Sequence, residues 1–271
     1  MHLKINKDTQ LCMSLAARPG NFGTRFQNFL FDRLDLNFVY KAFTTQDLPG
    51  AVTSIRALGV RGCAISMPFK ESVIELLDEL DDSARGIQSV NTILNTGGVL
   101  RGSNTDYIAV AQLLRKSGIS PASSFALFGS GGMAKAVACA LKDLGFRNGV
   151  IVARNQKTGS ALAAQYGFSC SPVLNGSASL LINASPIGMA GGKESEQNPF
   201  TAEQVKSADS IFEVVALPVE TPLYQMAAGK KRISGADVMV LQAVEQFVLY
   251  TGIRPEAALI QEAAAFANSQ K

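Results

Sequence analysis

The chain has 271 residues, 47% of them hydrophobic and 17% charged, a composition that supports a sizeable core and excludes global disorder. At roughly 100–200 residues per domain this is two modest domains or one large one. A net charge of +3 carried by scattered basic residues gives no argument for a nucleic-acid partner, and none is expected; no apolar run approaches the ~20 residues of a membrane span.

Met1-His2-Leu3-Lys4 has no signal-peptide core, so a cytoplasmic location is expected. His2, the sole histidine, stands at a terminus expected to be poorly ordered. Acid/base chemistry, most often the task of histidine, must then fall to Lys, Asp, Glu, Tyr or Cys. Cys12, Cys63, Cys139 and Cys170 form no C-x-x-C pair, which predicts reduced, buried thiols and no metal site.

Gln10–Ala16 reads as an apolar strand, and Phe22, Phe26, Phe29 and Leu30 recur at helical spacing. Asn37–Phe43 alternates like a strand, Leu48–Leu58 is helical, Gly62–Met67 is a short buried strand and Glu71–Leu77 a helix. Ser89–Leu94 and Gly98–Arg101 flank Asn95-Thr96-Gly97 as a hairpin. This first α/β unit ends near residue 103.

Helix Ile108–Lys116, strand Ser124–Phe128, helix Met133–Leu144, strand Gly149–Ala153 and helix Thr158–Tyr166 follow, with Leu180–Ala184 and Ser210–Val215 as further strands. Ala190–Asn198 is expected to be a mobile loop and Lys230-Lys231-Arg232 a solvated turn. From Asp237 to Phe266 the pattern is helical, broken at Gly252 and Pro255.

Gly129-Ser130-Gly131-Gly132-Met133-Ala134 fits G-x-G-x-x-G/A between a strand and an apolar helix. There glycines let the backbone approach a pyrophosphate, whose charge is met by the helix N-terminus. NAD-binding folds carry Asp or Glu at the end of the next strand to hold the ribose 2′-hydroxyl. This chain has Ala153-Arg154-Asn155-Gln156-Lys157 instead. An arginine there can pair bidentately with a 2′-phosphate and stack on adenine, so the expected cofactor is NADP.

Oxidising a hydroxyl by hydride transfer also requires loss of its proton. Lys70, closing Ser66-Met67-Pro68-Phe69-Lys70, and Asp106, closing Asn104-Thr105-Asp106, are candidates to accept or relay it. Taken alone, Lys70 reads more readily as an ordinary helix-start charge and Asp106 as an N-cap than as catalytic groups.

Taken together, these segments resemble the shikimate dehydrogenase family over nearly the whole chain. Ser66-Met67-Pro68-Phe69-Lys70 is similar to the end of N-V-T-x-P-F-K, Ser89-Val90-Asn91-Thr92 to A-V-N-T, and Asn104-Thr105-Asp106 to N-T-D. The glycine loop resembles G-A-G-G, Ala153-Arg154-Asn155 stands for N-R-T, and Asn183-Ala184-Ser185-Pro186-Ile187-Gly188-Met189 for N-A-T-x-x-G-M. Gln242, Phe247, Tyr250 and Gly252 resemble the family's closing helix.

The resemblance implies an α/β protein with an N-terminal substrate domain and a Rossmann-type NADP-binding domain, the C-terminal helices returning to the substrate domain. The boundaries expected are 1–103 with 238–271, and 104–237. It implies reversible oxidation of a ring hydroxyl of shikimate to 3-dehydroshikimate, a step of chorismate and aromatic amino acid biosynthesis. Lys70 and Asp106 become the catalytic pair, and Asn21, Gly23, Ser66, Asn91 and Gln242 the substrate set. The cofactor set is Gly129, Ser130, Gly131, Gly132, Met133, Ala134, Ala153, Arg154, Asn155, Lys157, Asn183, Ala184, Ser185, Gly188, Met189 and Gly235. A monomer or homodimer is expected.

Three departures bear on substrate. Asn21-Phe22-Gly23-Thr24 stands where the family has S-x-S-P, Ala64 replaces the asparagine of N-V-T, and Ala216 replaces the aromatic of D-x-x-Y-x-P. Each lost donor to a buried carboxylate costs about 1–3 kcal/mol, so altered or weak shikimate use is expected. The alternatives are a dehydrogenase of quinate or another cyclic hydroxy acid, and a non-enzymatic NADP-binding metabolite sensor.

Overall fold

The computed structural model describes residues 5–269, so His2 and the expectation about its order lie outside the described residues. The chain divides into two units, Met1–Thr105 with Val240–Lys271, and Asp106–Met239.

The first unit runs β1 (Gln10–Leu15), α1 (Phe22–Arg33), β2 (Phe38–Phe43), α2 (Leu48–Ala57), β3 (Gly62–Ile65), a 3-10 turn (Ile74–Leu76), β4 (Glu79–Leu80), α3 (Asp82–Arg85), β5 (Thr92–Thr96) and β6 (Val99–Ser103). Its six-stranded sheet has the order β2-β1-β3-β5-β6-β4. β1 pairs in parallel with β2 and β3, and β5 antiparallel with β3 and β6.

Leu48–Ala57 is helical because Asp47 accepts from Gly50 N–H at 2.9 Å and Pro49 occupies the first turn, both ordinary helix-start devices. One face of α2 puts Val52 and Ile55 against Met13, Leu15 and Ile65 of the sheet. On the other layer, the phenylalanine spacing of α1 buries Phe26, Leu30 and Phe31 against Phe247 and Ala243. Phe31 lies 5.4 Å from the Phe247 ring and Phe29 5.0 Å from Phe266. Phe26, Leu30, Phe31 and Phe247, each 0% exposed, contribute about 1.5–3 kcal/mol apiece.

The helix α4 (Thr105–Ser117) leads into the second unit. There follow β7 (Phe125–Phe128), α5 (Gly132–Asp143), β8 (Gly149–Val152), α6 (Gln156–Tyr166), β9 (Ser169–Ser171), β10 (Leu180–Asn183), α7 (Ala202–Ser207), β11 (Ser210–Glu213), α8 (Pro222–Met226) and β12 (Lys231–Ile233). All strands pair in parallel in the order β12-β11-β10-β7-β8-β9. Parallel strands covered on both faces read as continuous apolar runs, and Leu180, Leu181 and Ile182 are each 0% exposed. The chain returns to the first unit along α9 (Gly235–Thr251), and α10 (Ala257–Asn268) packs on α1. This is the two-sheet α/β architecture with a Rossmann-type second unit that the sequence implies.

Some local expectations change. Glu71–Leu77 forms turns and the 3-10 segment instead of a helix. The hairpin turns at Gly97-Gly98, and Asn95 is a strand residue, 7% exposed, donating from Nδ2 to Ile55 O at 3.0 Å. Lys230-Lys231-Arg232 is not a solvated turn: Lys231 and Arg232 open the edge strand β12. Lys230 Nζ donates to Ala208 O at 2.6 Å, and Arg232 stacks over the Tyr224 ring at 4.1 Å. These cations bind the carbonyl ends and rings of neighbouring elements. Residues 190–196 form turns and a bend held by backbone hydrogen bonds. No described helix is long and apolar enough to cross a membrane.

Candidate functional site

In the second unit the strand order reverses between β10 and β7, and ligands of open parallel sheets bind outside the carboxyl ends of the strands at such a point. Gly129 follows β7 there, with φ +121 and its N–H donated to Val152 O at 2.9 Å. A Cβ on it would lie 2.9 Å from Ala184 O, at the end of β10. Only glycine satisfies both the backbone conformation and that approach.

Beyond it, Gly131 caps α5 with no side-chain hydrogen bond, and a Cβ at Gly131 or Gly132 would meet open space. The first amides of α5 are thus left to a ligand in front of the loop, while Ala134 is buried beneath. Ser130 Oγ lies 2.7 Å from Thr158 Oγ1, tying the loop to α6, and Met133 is half-buried at the start of α5.

At the end of β8, Ala153 is buried and Arg154 and Lys157 are exposed. Asn155 caps α6, its Oδ1 accepting from Lys157 N–H at 3.1 Å and Thr158 N–H at 3.3 Å. Arg154 donates to Glu194 at 2.7 and 3.2 Å. Glycines that leave room for a pyrophosphate, an uncapped helix start and an arginine without a neighbouring acid on its own strand end fit a 2′-phosphorylated dinucleotide.

At the end of β10, Asn183 is 0% exposed and its Nδ2 donates to Ile187 O at 2.9 Å and to Glu213 at 3.0 Å. Its Oδ1 accepts from the Ser185 hydroxyl at 2.7 Å. Ala184 N–H donates to Phe128 O, and Gly188 has φ +86. Met189 is 44% exposed.

Glu213, also 0% exposed, accepts from Val215 N–H at 2.8 Å and the Thr221 hydroxyl at 2.9 Å. Burial pushes its carboxyl from the ordinary 4.5 up to about 7, against the opposing pull of these donors. Gly235 starts α9 where a Cβ would lie 2.3 Å from Val214 O and Val215 O, so the helix begins hard against the end of β11.

In the first unit the candidates are mostly side chains. Asn91, 3% exposed, accepts from Thr105 N–H at 2.7 Å and from the Thr92 hydroxyl at 2.8 Å. Its Nδ2 donates to Thr105 Oγ1 at 3.0 Å. Thr105 in turn reaches Gln242 Oε1 at 3.4 Å, and Gln246, one turn further along α9, donates to Thr92 Oγ1 at 3.1 Å. Asn91 and Gln242 therefore share one polar cluster.

Ser66 is exposed after β3, with its N–H on Leu15 O at 2.9 Å. Lys70 is half-buried and its carbonyl accepts from Val90 N–H at 2.8 Å, which fixes the lysine backbone beside the Asn91 strand. Asn21 caps α1 without a side-chain bond, and Gly23 lies in the first turn. Asp106, 8% exposed, belongs to the second unit and sits in the first turn of α4. An apolar groove of about 250 Å³ beside α2, lined by Met13, Phe43, Ile55 and Leu58 among others, shares no residue with this set. Among the described residues no group of three His, Cys, Asp or Glu could hold a metal.

Sequence reasoning does not single out Thr105, Thr158, Glu194, Glu213, Thr221 or Gln246 as site residues. Gln246 was detectable as a second glutamine one turn after Gln242, and Thr158 as the third residue after a capping asparagine. Glu194 leaves no local signal, since its partner is 40 positions away.

Residues 23–93 match the shikimate dehydrogenase substrate binding domain. Over 269 residues the chain is 55% identical to a shikimate dehydrogenase-like protein of Haemophilus influenzae, spanning 98% of this chain and 99% of that one. A solved shikimate 5-dehydrogenase-like protein, also 55% identical, superposes with TM-score 0.96 over 98% of this chain and 100% of its own. The Thermus thermophilus shikimate 5-dehydrogenase, solved with NADP(H) and shikimate, is 28% identical with TM-score 0.85, covering 95% of this chain and 99% of its own. With the switch-point glycines, the Asn91 cluster and identity along nearly its full length, the chain belongs to the shikimate dehydrogenase family.

Proposed function

We propose that the protein is an NADP-dependent oxidoreductase of the shikimate dehydrogenase type, acting reversibly on a ring hydroxyl of shikimate or a close analogue. The observation that carries this reading is the glycine-lined loop after β7, standing together with Arg154 where NAD-binding folds carry an acid. Family membership and the substrate named for the Thermus relative support the choice of hydroxyl. The unit containing Asn91 is read as the substrate unit and the unit containing Gly129 as the cofactor unit.

NADP, when bound, supplies the hydride acceptor. The α5 amides and Gly131 receive its pyrophosphate, Arg154 and Lys157 its 2′-phosphate, and the 183–189 stretch the remainder. Lys70 takes the proton of the hydroxyl being oxidised and returns it in the reverse direction, with Asp106 as the second proton-transfer group. Ser66, Asn91 and Gln242 orient the ring hydroxyls. Such positioned acid/base groups contribute about 10²–10⁴-fold.

At the carboxylate end Asn21 and Gly23 stand where the family has serines, so shikimate turnover is weak. This same departure favours a second reading, a cyclic hydroxy acid such as quinate as the better substrate. Steady-state kinetics with shikimate and quinate, each against NADP+ and NAD+, tests both. NADP-dependent oxidation of either acid is expected, and no turnover of either with any cofactor would remove the enzymatic reading.

A further inference from the structure

Arg154 and Glu194 form a fork-to-fork pair in which both terminal nitrogens meet both carboxylate oxygens, at 2.7 and 3.2 Å. The partners are unequal. Arg154 is 62% exposed, whereas Glu194 is 29% exposed and sits within a set of backbone turns. Its carbonyl accepts from Gly188 N–H at 3.0 Å and from Gln197 N–H at 3.1 Å. Close by, Ala190 N–H donates to Leu217 O at 3.0 Å and Gly192 N–H to Met189 O at 3.1 Å. Glu194 is the anchored partner and Arg154 the one that can turn away.

We propose that Glu194 is a specificity-determining residue that competes with the 2′-phosphate of NADP for Arg154 and so sets how strongly NADP is preferred to NAD. This rests on the reading of Arg154 as the 2′-phosphate group. A carboxylate and a phosphate bind guanidinium through the same two parallel N–H donors, so Arg154 cannot serve both in full. NAD has only a hydroxyl at that position and makes no such demand. Glu194 thus supplies, from a distant loop, part of the negative charge that NAD-binding folds place at the end of this strand. Because Glu194 hangs from the Gly188–Met189 stretch, exchange of partners at Arg154 also loosens one tie on that stretch.

The test is calorimetric binding of NADP+, NAD+ and adenosine 2′,5′-bisphosphate to wild type, Glu194→Gln, Arg154→Ala and the double variant. Glu194→Gln keeps the shape and removes the charge. It is expected to tighten NADP+ and the bisphosphate about two- to fivefold, the scale of an exposed ion pair, with NAD+ unchanged. In the Arg154→Ala background the same substitution should give no gain. If Arg154→Ala weakens NADP+ while Glu194→Gln leaves it unchanged or weaker, the competition is overturned and the cofactor reading stands. If Arg154→Ala leaves NADP+ binding intact, the cofactor reading of Arg154 fails and this inference with it.

Discussion

In the second unit the candidate site is chiefly backbone. Gly129 and Gly235 are required by positive φ or by carbonyls 2.3–2.9 Å from where a Cβ would stand, and Gly131 faces open space in front of the loop. In the first unit it is chiefly side chain, with Lys70, Ser66 and the Asn91–Thr105–Gln242 cluster. A backbone cradle tolerates little substitution where a Cβ would meet a carbonyl, as at Gly129 and Gly235. A side-chain site can exchange one donor for another and keep its fold. This contrast accounts for Asn21, Gly23 and Ala64 departing from the family's side chains while the glycines of the loop after β7 are kept.

The largest effect tests the side-chain half. Lys70→Ala and Asp106→Asn are each expected to lower kcat by about 10²–10⁴-fold, with NADP+ affinity little changed. Near-wild-type turnover in both variants would remove them from proton transfer.

The two buried polar clusters differ in charge. The one around Asn91 is built of amides and hydroxyls, whereas the one joining β10, β11 and the start of α8 contains the Glu213 carboxyl. In the folded protein that carboxyl lies at about 7, above its ordinary 4.5. The folded state therefore holds its proton more tightly than the unfolded chain does. The stability this contributes is full below about 4.5 and is lost as pH rises through about 7. At 1.36 kcal/mol per unit the loss is on the order of 3 kcal/mol. Glu213→Gln removes the charge and keeps one acceptor oxygen for Val215 N–H and Asn183 Nδ2, while its amide nitrogen would have to donate to the Thr221 hydroxyl oxygen instead of accepting from it. Its stability relative to wild type should rise by that order between pH 4.5 and 8 in denaturant titrations. A pH-independent difference would show that Glu213 does not titrate in this window.

Within the backbone half, two glycines separate folding from binding. Gly129→Ala meets Ala184 O and an unfavourable φ, so it should cost about 1–3 kcal/mol of stability. Gly131→Ala meets nothing within 4 Å, so it should melt like wild type and yet bind NADP+ more weakly. Wild-type affinity in Gly131→Ala would argue against the loop as the pyrophosphate cradle.

What was legible in the sequence follows the same division. The buried parallel strands and the Phe22/Phe26/Leu30 face of α1 show as runs and periods, and the glycine loop shows as a backbone requirement. Elements of two to six residues, such as β4, β9, α7 and β12, are too short for a period to declare itself. Glu71–Leu77 has helical spacing, but its apolar residues Ile74, Leu76 and Leu77 pack on the α2 side of the sheet from turns and a 3-10 segment. Glu213 and Thr221 make their site contacts across eight residues, and Arg154 and Glu194 across 40, distances at which no local pattern survives.

The smallest predicted effect probes the substrate loop itself. Asn21→Ser with Gly23→Ser restores the hydroxyls that the family carries there, and the local structure can accept both. Serine caps a helix about as well as asparagine, and Asn21 makes no side-chain cap bond to lose. A Cβ at Gly23 would sit 3.5 Å from the Tyr40 hydroxyl oxygen, an ordinary contact. One regained hydrogen bond to a substrate carboxylate corresponds to roughly a tenfold rise in kcat/KM for shikimate. The comparison needs the parent, the double variant and Asn21→Ala. A gain in the double variant with no loss in Asn21→Ala places the weakness of the parent at the carboxylate end. A parent already as efficient as its NADP-dependent relatives, or no gain on restoration, would mean that Asn21, Thr24 or a backbone amide already holds the carboxylate. In that event the side-chain half of the site has exchanged donors without changing substrate, and the loop differs from the family's in sequence alone.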